Sequence, residues 1–253
     1  MNPANTALKR DSTQPALKST AGVARGPGRP KGRTADGTKE RILDAGEALF
    51  AEGGYDGTSI RDIADGAGVK LAVVGYHFGP KEQLFDAVVR RRASIMSAQR
   101  IRSLEAARNS GKRGKALLAA LIRGYVAPFF EMASSGDRGW RNYATLMGRL
   151  ANSPRGTDVI DRHYDITARA YVDAFHSALP DANRQAIVDG FLVMVSAMLA
   201  ICAGTGRAER LMQKPAGAIA PTITFDDLTA FIVAGFSAIG QALPRQPLRK
   251  GKT

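Results

Sequence analysis

The stretch TSIRDIADGAGVKLAVVGYHFGPK, from Thr58 to Lys81, leaves the chain few ways to fold. Ile60, Ile63, Ala64 and Ala67 recur at the helical i, i+3, i+4, i+7 spacing, so a short helix here has one apolar stripe and turns Arg61, Asp62 and Asp65 away from it. Gly66 and Gly68 supply a tight turn. A second short helix from Lys70 to about His77 buries Val74 and Phe78 and leaves Lys70, Leu71, Ala72, Tyr76 and His77 to a partner. Two short helices set at an angle by a glycine turn form a helix-turn-helix, whose second helix lies in the major groove of DNA.

The charge balance agrees with a polyanionic partner. Thirty-six basic and 23 acidic residues give a net charge of +13, and the isoelectric point is near 10.2. A generally basic soluble protein has the same balance, so charge alone leaves that alternative open. The 44% hydrophobic content in 253 residues suffices for one large domain or two. A single cysteine, Cys202, excludes an intrachain disulfide framework and fits a reducing cytoplasm. The N-terminal residues lack an apolar export segment, and the most apolar run, Phe191 to Ala203, falls short of the roughly 20 residues of a membrane span, so a cytoplasmic location without membrane contact is expected.

Residues 1–38 are rich in Pro, Gly, Thr, Ser and basic side chains and read as a disordered basic tail. Within it, Arg25, Arg29, Lys31 and Arg33 surround a Gly28-Arg29-Pro30 core that looks like an AT-hook, suited to a narrow minor groove. The alternative is a flexible tail that binds phosphates without preference; either adds salt-sensitive affinity. A helix is expected from about Lys39 to Glu52, with Ile42, Ala45, Leu49 and Phe50 on one face and Gly53-Gly54 ending it. Thr58 or Ser59 caps the next helix, and a hydroxyl there can also meet a phosphate. Gly79-Pro80 restarts the chain into a long helix that carries Leu84, Phe85, Val88 and Val89, runs to about Arg108, and exposes Arg90, Arg91 and Arg92 to solvent or DNA.

Gly54-Tyr55, Thr58 to Ala64, Ala67-Gly68-Val69 and Tyr76 to Glu82, in this order and spacing, closely resemble the N-terminal domain of the tetracycline-repressor (TetR) family of transcriptional regulators. The resemblance implies a DNA-binding role for the following residues. Arg61 matches a position that reaches a base edge, and Thr58 and Ser59 match phosphate-facing positions. Lys70, Leu71 and Ala72 match base-reading positions, with Leu71 and Ala72 able to touch a thymine methyl. Tyr76, His77 and Lys81 match a phosphate clamp at the positive end of the long helix. His77 as a packing histidine is the alternative. Gly75 departs from the pattern and weakens its helix by about 1 kcal/mol relative to Ala.

The C-terminal half is helical throughout on pattern. Helices are expected over Lys115 to Met132, kinked at Pro128, over Arg138 to Leu150, from Ser153-Pro154 to about Leu179, from Asn183 to about Gly204, and from Phe225 to about Leu243 behind a Thr224 capping box. The fold class is therefore all-α: a disordered tail (1–38), a three-helix DNA-binding domain (39–109), a helical effector-binding and dimerisation domain (110–244) and a basic C-terminal tail (245–253). The last two helices are apolar around much of their circumference, more than a monomer of this size buries. By resemblance, they form a homodimer bundle that includes Phe191, Met194, Met198, Phe231, Ile232 and Phe236; a monomeric helical core is the alternative. A small-molecule effector pocket, usual in the family, has Tyr125, Phe129, Trp140, Met147, His163, Tyr171 and Phe175 as candidates, although aromatic residues at helical spacing equally form plain core.

Enzyme chemistry finds no support in the residues. His77, His163 and His176 sit in no metal motif, Asp158, Asp161 and Asp165 share a helix face from which His163 points away, and no phosphate loop or nucleophile elbow occurs, so neither metal nor cofactor is expected. Two readings remain: a homodimeric repressor released from a palindromic operator on double-stranded DNA by an effector, or an architectural, nucleoid-associated DNA-binding protein without one. Activation in place of repression is a variant of the first.

Overall fold

The computed structural model describes residues 35–151, 153–204, 206–215 and 224–240. Ten α-helices follow in order, α1 (Ala35–Gly53), α2 (Ile60–Gly66), α3 (Leu71–Phe78), α4 (Lys81–Asn109), α5 (Gly114–Ser134), α6 (Arg138–Leu150), α7 (Pro154–Ala178), α8 (Arg184–Cys202), α9 (Arg207–Leu211) and α10 (Phe225–Gly240), with no strand among the described residues. The all-α expectation holds. The two tails, with Arg25, Arg29, Lys31 and Arg33, lie outside the described residues.

The apolar stripes of α1, α2 and α3 close over the start of α4. Ile42, Phe50, Ile63, Val74, Leu84 and Val88 are fully buried. Phe85 stands edge-on to both Phe50 and Tyr55, with ring centroids 4.8 and 5.0 Å apart. Helix α1 begins at Ala35, before the expected Lys39.

Helix α4 leaves this small core and runs on into the C-terminal half, where it packs against α5 and α7. Helix α5 lies against α4, α6, α7, α8 and α10 and continues through the buried Pro128. Helix α6 packs both on α8 and on α1, so the two halves meet along a second seam besides α4. Local chemistry sets several helix starts. Asp137 caps α6, Ser153 caps α7 with Pro154 in the first turn, Asn183 caps α8, and Thr224 with Asp227 forms the expected capping box. The short α9 was not anticipated; its five residues carry no apolar period to read.

Helices α5 and α8 are each long and apolar enough to cross a membrane by length and composition, contrary to the expectation for the Phe191 region. Their packing explains the composition: α5 is surrounded by helices, and α8 buries Ile187, Phe191, Met194 and Met198 against them.

Candidate nucleic-acid interface

Ser59 holds the N-terminus of α2. Its hydroxyl accepts from Asp62 N at 3.1 Å and donates to Asp62 Oδ2 at 2.6 Å, while Ser59 N donates to the same carboxylate at 2.9 Å. These bonds hold the Asp62 carboxyl below its ordinary value, and they leave Arg61 exposed beside it. The turn to α3 favours Gly68, whose φ of +62° is a left-handed conformation that strains most side chains. Val69 N then donates back to Ala64 O at 2.9 Å and closes the corner.

Thr58 does not face a phosphate. It is 4% exposed, and its hydroxyl lies 3.0 Å from Leu49 O and 2.9 Å from Gly54 O. Its hydrogen is committed to the end of α1, so the expected DNA contact is corrected to a structural one.

Helix α3 buries Val74 and presents the other side. Lys70, at its N-cap, Leu71, Ala72, Gly75 and Tyr76 are exposed; Tyr76 is 85% so. His77 is half-buried, with its ring edge-on to Tyr76 and to Phe78 at centroid distances of 5.1 and 6.3 Å. Gly79 (φ +71°) then turns the chain sharply; a Cβ there would meet Gln83 Oε1 at 2.6 Å.

Lys81 opens α4. Its Nζ stands 4.3 Å from the centroid of the Tyr55 ring, whose hydroxyl donates to Glu82 Oε1 at 2.6 Å. Cation, aromatic platform and the positive end of a helix dipole thus come together a few residues after Tyr76, an arrangement that suits an anionic oxygen. Tyr55 was not singled out from sequence as a contributor; the only available signal was its place in the Gly-Tyr pair before α2.

The Arg90 to Arg92 run is corrected in part. Arg90 is exposed, but Arg91 reaches Glu40 at 3.1 Å, Asp44 at 2.8 Å and Glu47 at 2.8 Å, and Arg92 Nε reaches Glu47 at 3.0 Å. Glu47 is 1% exposed, and the Arg92 guanidinium lies 4.6 Å from the Trp140 ring. These residues join α1, α4 and α6. Gly139 permits the contact, since a Cβ there would come within 2.1 Å of Arg92 Nη2.

The pocket candidates pack as core. Tyr125 meets Tyr171 and Phe191 edge-on at 5.0 and 5.1 Å, Phe129 and Trp140 flank Tyr143, and Phe175 contacts Phe236 at 5.0 Å. Met147 is buried, and His163 Nε2 lies 2.9 Å from Asp86 Oδ1. Two clefts are lined by other residues. One of about 720 Å³ lies between α1, the end of α2 and the start of α6, and another of about 600 Å³ lies between α6 and α8. Among the described residues no group of three metal-ligating side chains occurs; Asp165 pairs with Arg169 at 2.7 Å.

The expected dimer residues need a larger correction. Phe191, Met194, Met198, Ile232 and Phe236 are buried inside the protomer, and of the six only Phe231, 71% exposed, faces outward. The exposed stripe of α8 is instead Leu192, Val193, Ser196 and Ala200, and that of α10 adds Ala230, Ala234, Gly235 and Ala238 to Phe231. Helices apolar on all sides give no period from which to tell the inner face from the outer.

Comparisons with known proteins find similar sequences and a similar fold. Residues 42–88 match the model described as bacterial regulatory proteins, tetR family, and residues 123–235 match the tetracyclin repressor-like C-terminal domain. The HTH-type transcriptional repressor KstR2 of Mycobacterium tuberculosis is 26% identical over 152 residues, which cover 60% of this chain and 72% of that protein. The negative transcriptional regulator IcaR of the Staphylococcus aureus biofilm operon is 40% identical over 52 residues, 21% of this chain and 28% of the relative. In fold, the hemolysin II transcriptional regulator HlyIIR is similar with a TM-score of 0.55 at 19% identity, covering 82% of this chain and 99% of that one. A TetR-family regulator from Shewanella sp. PV-4 is similar with a TM-score of 0.55 at 19% identity, covering 80% and 97%.

Proposed function

The chain belongs to the TetR family of DNA-binding transcriptional regulators, which are not enzymes, and from that premise we propose that it is a homodimeric repressor released from a palindromic operator by a small-molecule effector. The observation that carries the DNA side is that Arg61 on α2, Lys70 at the N-cap of α3, and Leu71, Ala72 and Tyr76 on α3 are all exposed, with Lys81 opening α4 just after them. Arg61 and Lys70 reach base edges, Leu71 and Ala72 approach thymine methyls, and Ser59, Tyr76, His77 and Lys81 hold phosphates.

Two copies joined through the exposed faces of α8 and α10 place two such edges on a two-fold site. The effector binds the C-terminal domain better in a state whose recognition helices are misplaced, and so lowers DNA affinity by population shift. Helix α4 is suited to carry that shift, because it starts beside α3 and packs farther along against α5 and α7 of the effector domain. The KstR2 and IcaR relatives, named as repressor and negative regulator, support repression over activation.

Selection of binding sites from random double-stranded DNA by the full chain tests this function. A short palindrome is expected; an unenriched pool supports the architectural reading instead.

A further inference from the structure

Arg100, within α4, is 2% exposed, and among the described residues no carboxylate lies within ion-pairing distance of it. Its Nε donates to Tyr125 O at 3.0 Å, and Nη2 reaches the Met198 sulfur, a weak acceptor, at 3.7 Å. The Tyr125 ring lies 3.8 Å from the guanidinium carbon and the Tyr164 ring 5.7 Å. Arginine does not shed its proton in a protein, so the charge remains in the core. Ring faces offset part of the desolvation, but an anion would offset far more.

The surrounding hydroxyls do not provide that anion. Burial raises Tyr125 and pushes Tyr164 up to about 12, against the opposing pull of Arg100, so both stay neutral. The Tyr164 hydroxyl is occupied with Tyr143, and the Tyr171 hydroxyl donates to Arg100 O at 2.8 Å. Burial likewise pushes the Cys202 thiol up to about 12, which keeps it protonated. Arg100 of α4 is therefore enclosed among neutral aromatic and sulfur-bearing groups where α4 meets α5, α7 and α8.

We propose that Arg100 anchors an anionic effector, a carboxylate carried on a planar aromatic body. The carboxylate pairs with the planar guanidinium in two parallel hydrogen bonds, and the ligand ring takes the stacking position that Tyr125 holds in this structure. The proposal rests on the effector-responsive repressor reading. Its consequence follows from the same helix: Arg100 sits about 28 Å along α4 from Lys81 at the helical rise. A ligand that replaces the contacts of Arg100 with α5 and α8 shifts α4, and with it the end that abuts the recognition helix.

Calorimetry on the full-length protein with cinnamate and benzoate, against cinnamamide and benzamide as neutral isosteres, tests the assignment. The acids are expected to bind at least tenfold more tightly than their amides, and Arg100→Met to abolish that difference. Should Arg100→Met fail to fold, Arg100→Lys keeps the cation without the planar fork and is expected to shrink the acid preference several-fold. Equal binding of acids and amides, no binding of either acid, or an acid preference unchanged in these variants overturns the proposal. Gel shifts on a selected operator distinguish the two readings. A chain that binds acids through Arg100 but prefers no DNA site sinks the repressor and spares the anion site, whereas one that holds a site and ignores the acids does the reverse.

Discussion

At the scale of the residue, the proposed function divides the exposed side chains of α2 and α3 and the start of α4 into those that read bases and those that hold the backbone. Arg61→Ala and Lys70→Ala are expected to change the preferred bases, each by about 1–3 kcal/mol of discrimination, whereas Lys81→Ala weakens all sequences alike and lowers the salt slope by about one. Binding-site selection and salt titration check both; an unchanged selected sequence for Arg61→Ala and Lys70→Ala removes them from the reading surface. Gly75 is helical and exposed, and a Cβ there meets nothing within 4 Å. Gly75→Ala is therefore expected to stabilise the fold by about 0.5–1 kcal/mol in denaturant unfolding, since no contact opposes the entropic gain. Thr58 shows the limit of reading single residues. A hydroxyl just before a helix suits a phosphate or a buried carbonyl equally, and only the position of the end of α1 decides between them.

At the scale of the element, charged pairs fasten helices that the sequence leaves far apart. Glu47 is buried between Arg91 and Arg92, so Glu47→Gln strips two guanidinium groups of their shared counter-charge. A loss of about 3 kcal/mol is expected in denaturant unfolding; a neutral result would mean that Glu40 and Asp44 suffice for Arg91. Asp86 joins α4 to α7 through Arg162 at 2.5 Å and His163 at 2.9 Å. Partial burial pushes its carboxyl up, but the bonds and charges of His163 and Arg162 outweigh that and hold it below the ordinary 3.8. A carboxyl depressed in the fold contributes stability that is present above its unfolded value and lost as the pH falls through its folded one. Wild type is thus expected to exceed Asp86→Asn by about 1 kcal/mol at neutral pH, and the gap to close in acid below 3.8, as followed by thermal unfolding. A gap that persists at low pH would show that the ion pairs are not its source.

At the scale of the molecule, the proposed dimer depends on the outer faces of α8 and α10. Phe231 is 71% exposed, and Leu192 and Val193 are exposed by more than half. Phe231→Arg is expected to shift the chain to a monomer in light scattering and to weaken operator binding by orders of magnitude, because each half-site then binds alone. Burying that charge at the centre of an apolar interface has no compensating partner. A dimer that survives the substitution would place the interface elsewhere.

The all-α class, most helix boundaries and the helix-turn-helix were legible in the sequence, because periodicity, caps and glycine turns are local and act within a few residues of themselves. Gly68 and Gly79 mark their turns, Ser59 and Thr224 their caps, and Ile63 and Val74 their inner faces without reference to the rest of the chain. Where α1 begins was not legible, since residues 35–38 carry no apolar period. Which side of α8 and α10 faces inward, what Arg91 and Arg92 hold, and the placement of Arg100 away from every carboxylate among the described residues were decided only by tertiary packing. A helix apolar all round has no preferred face until neighbours press on one side, and a charge has no partner or lack of one until the fold brings distant segments to it.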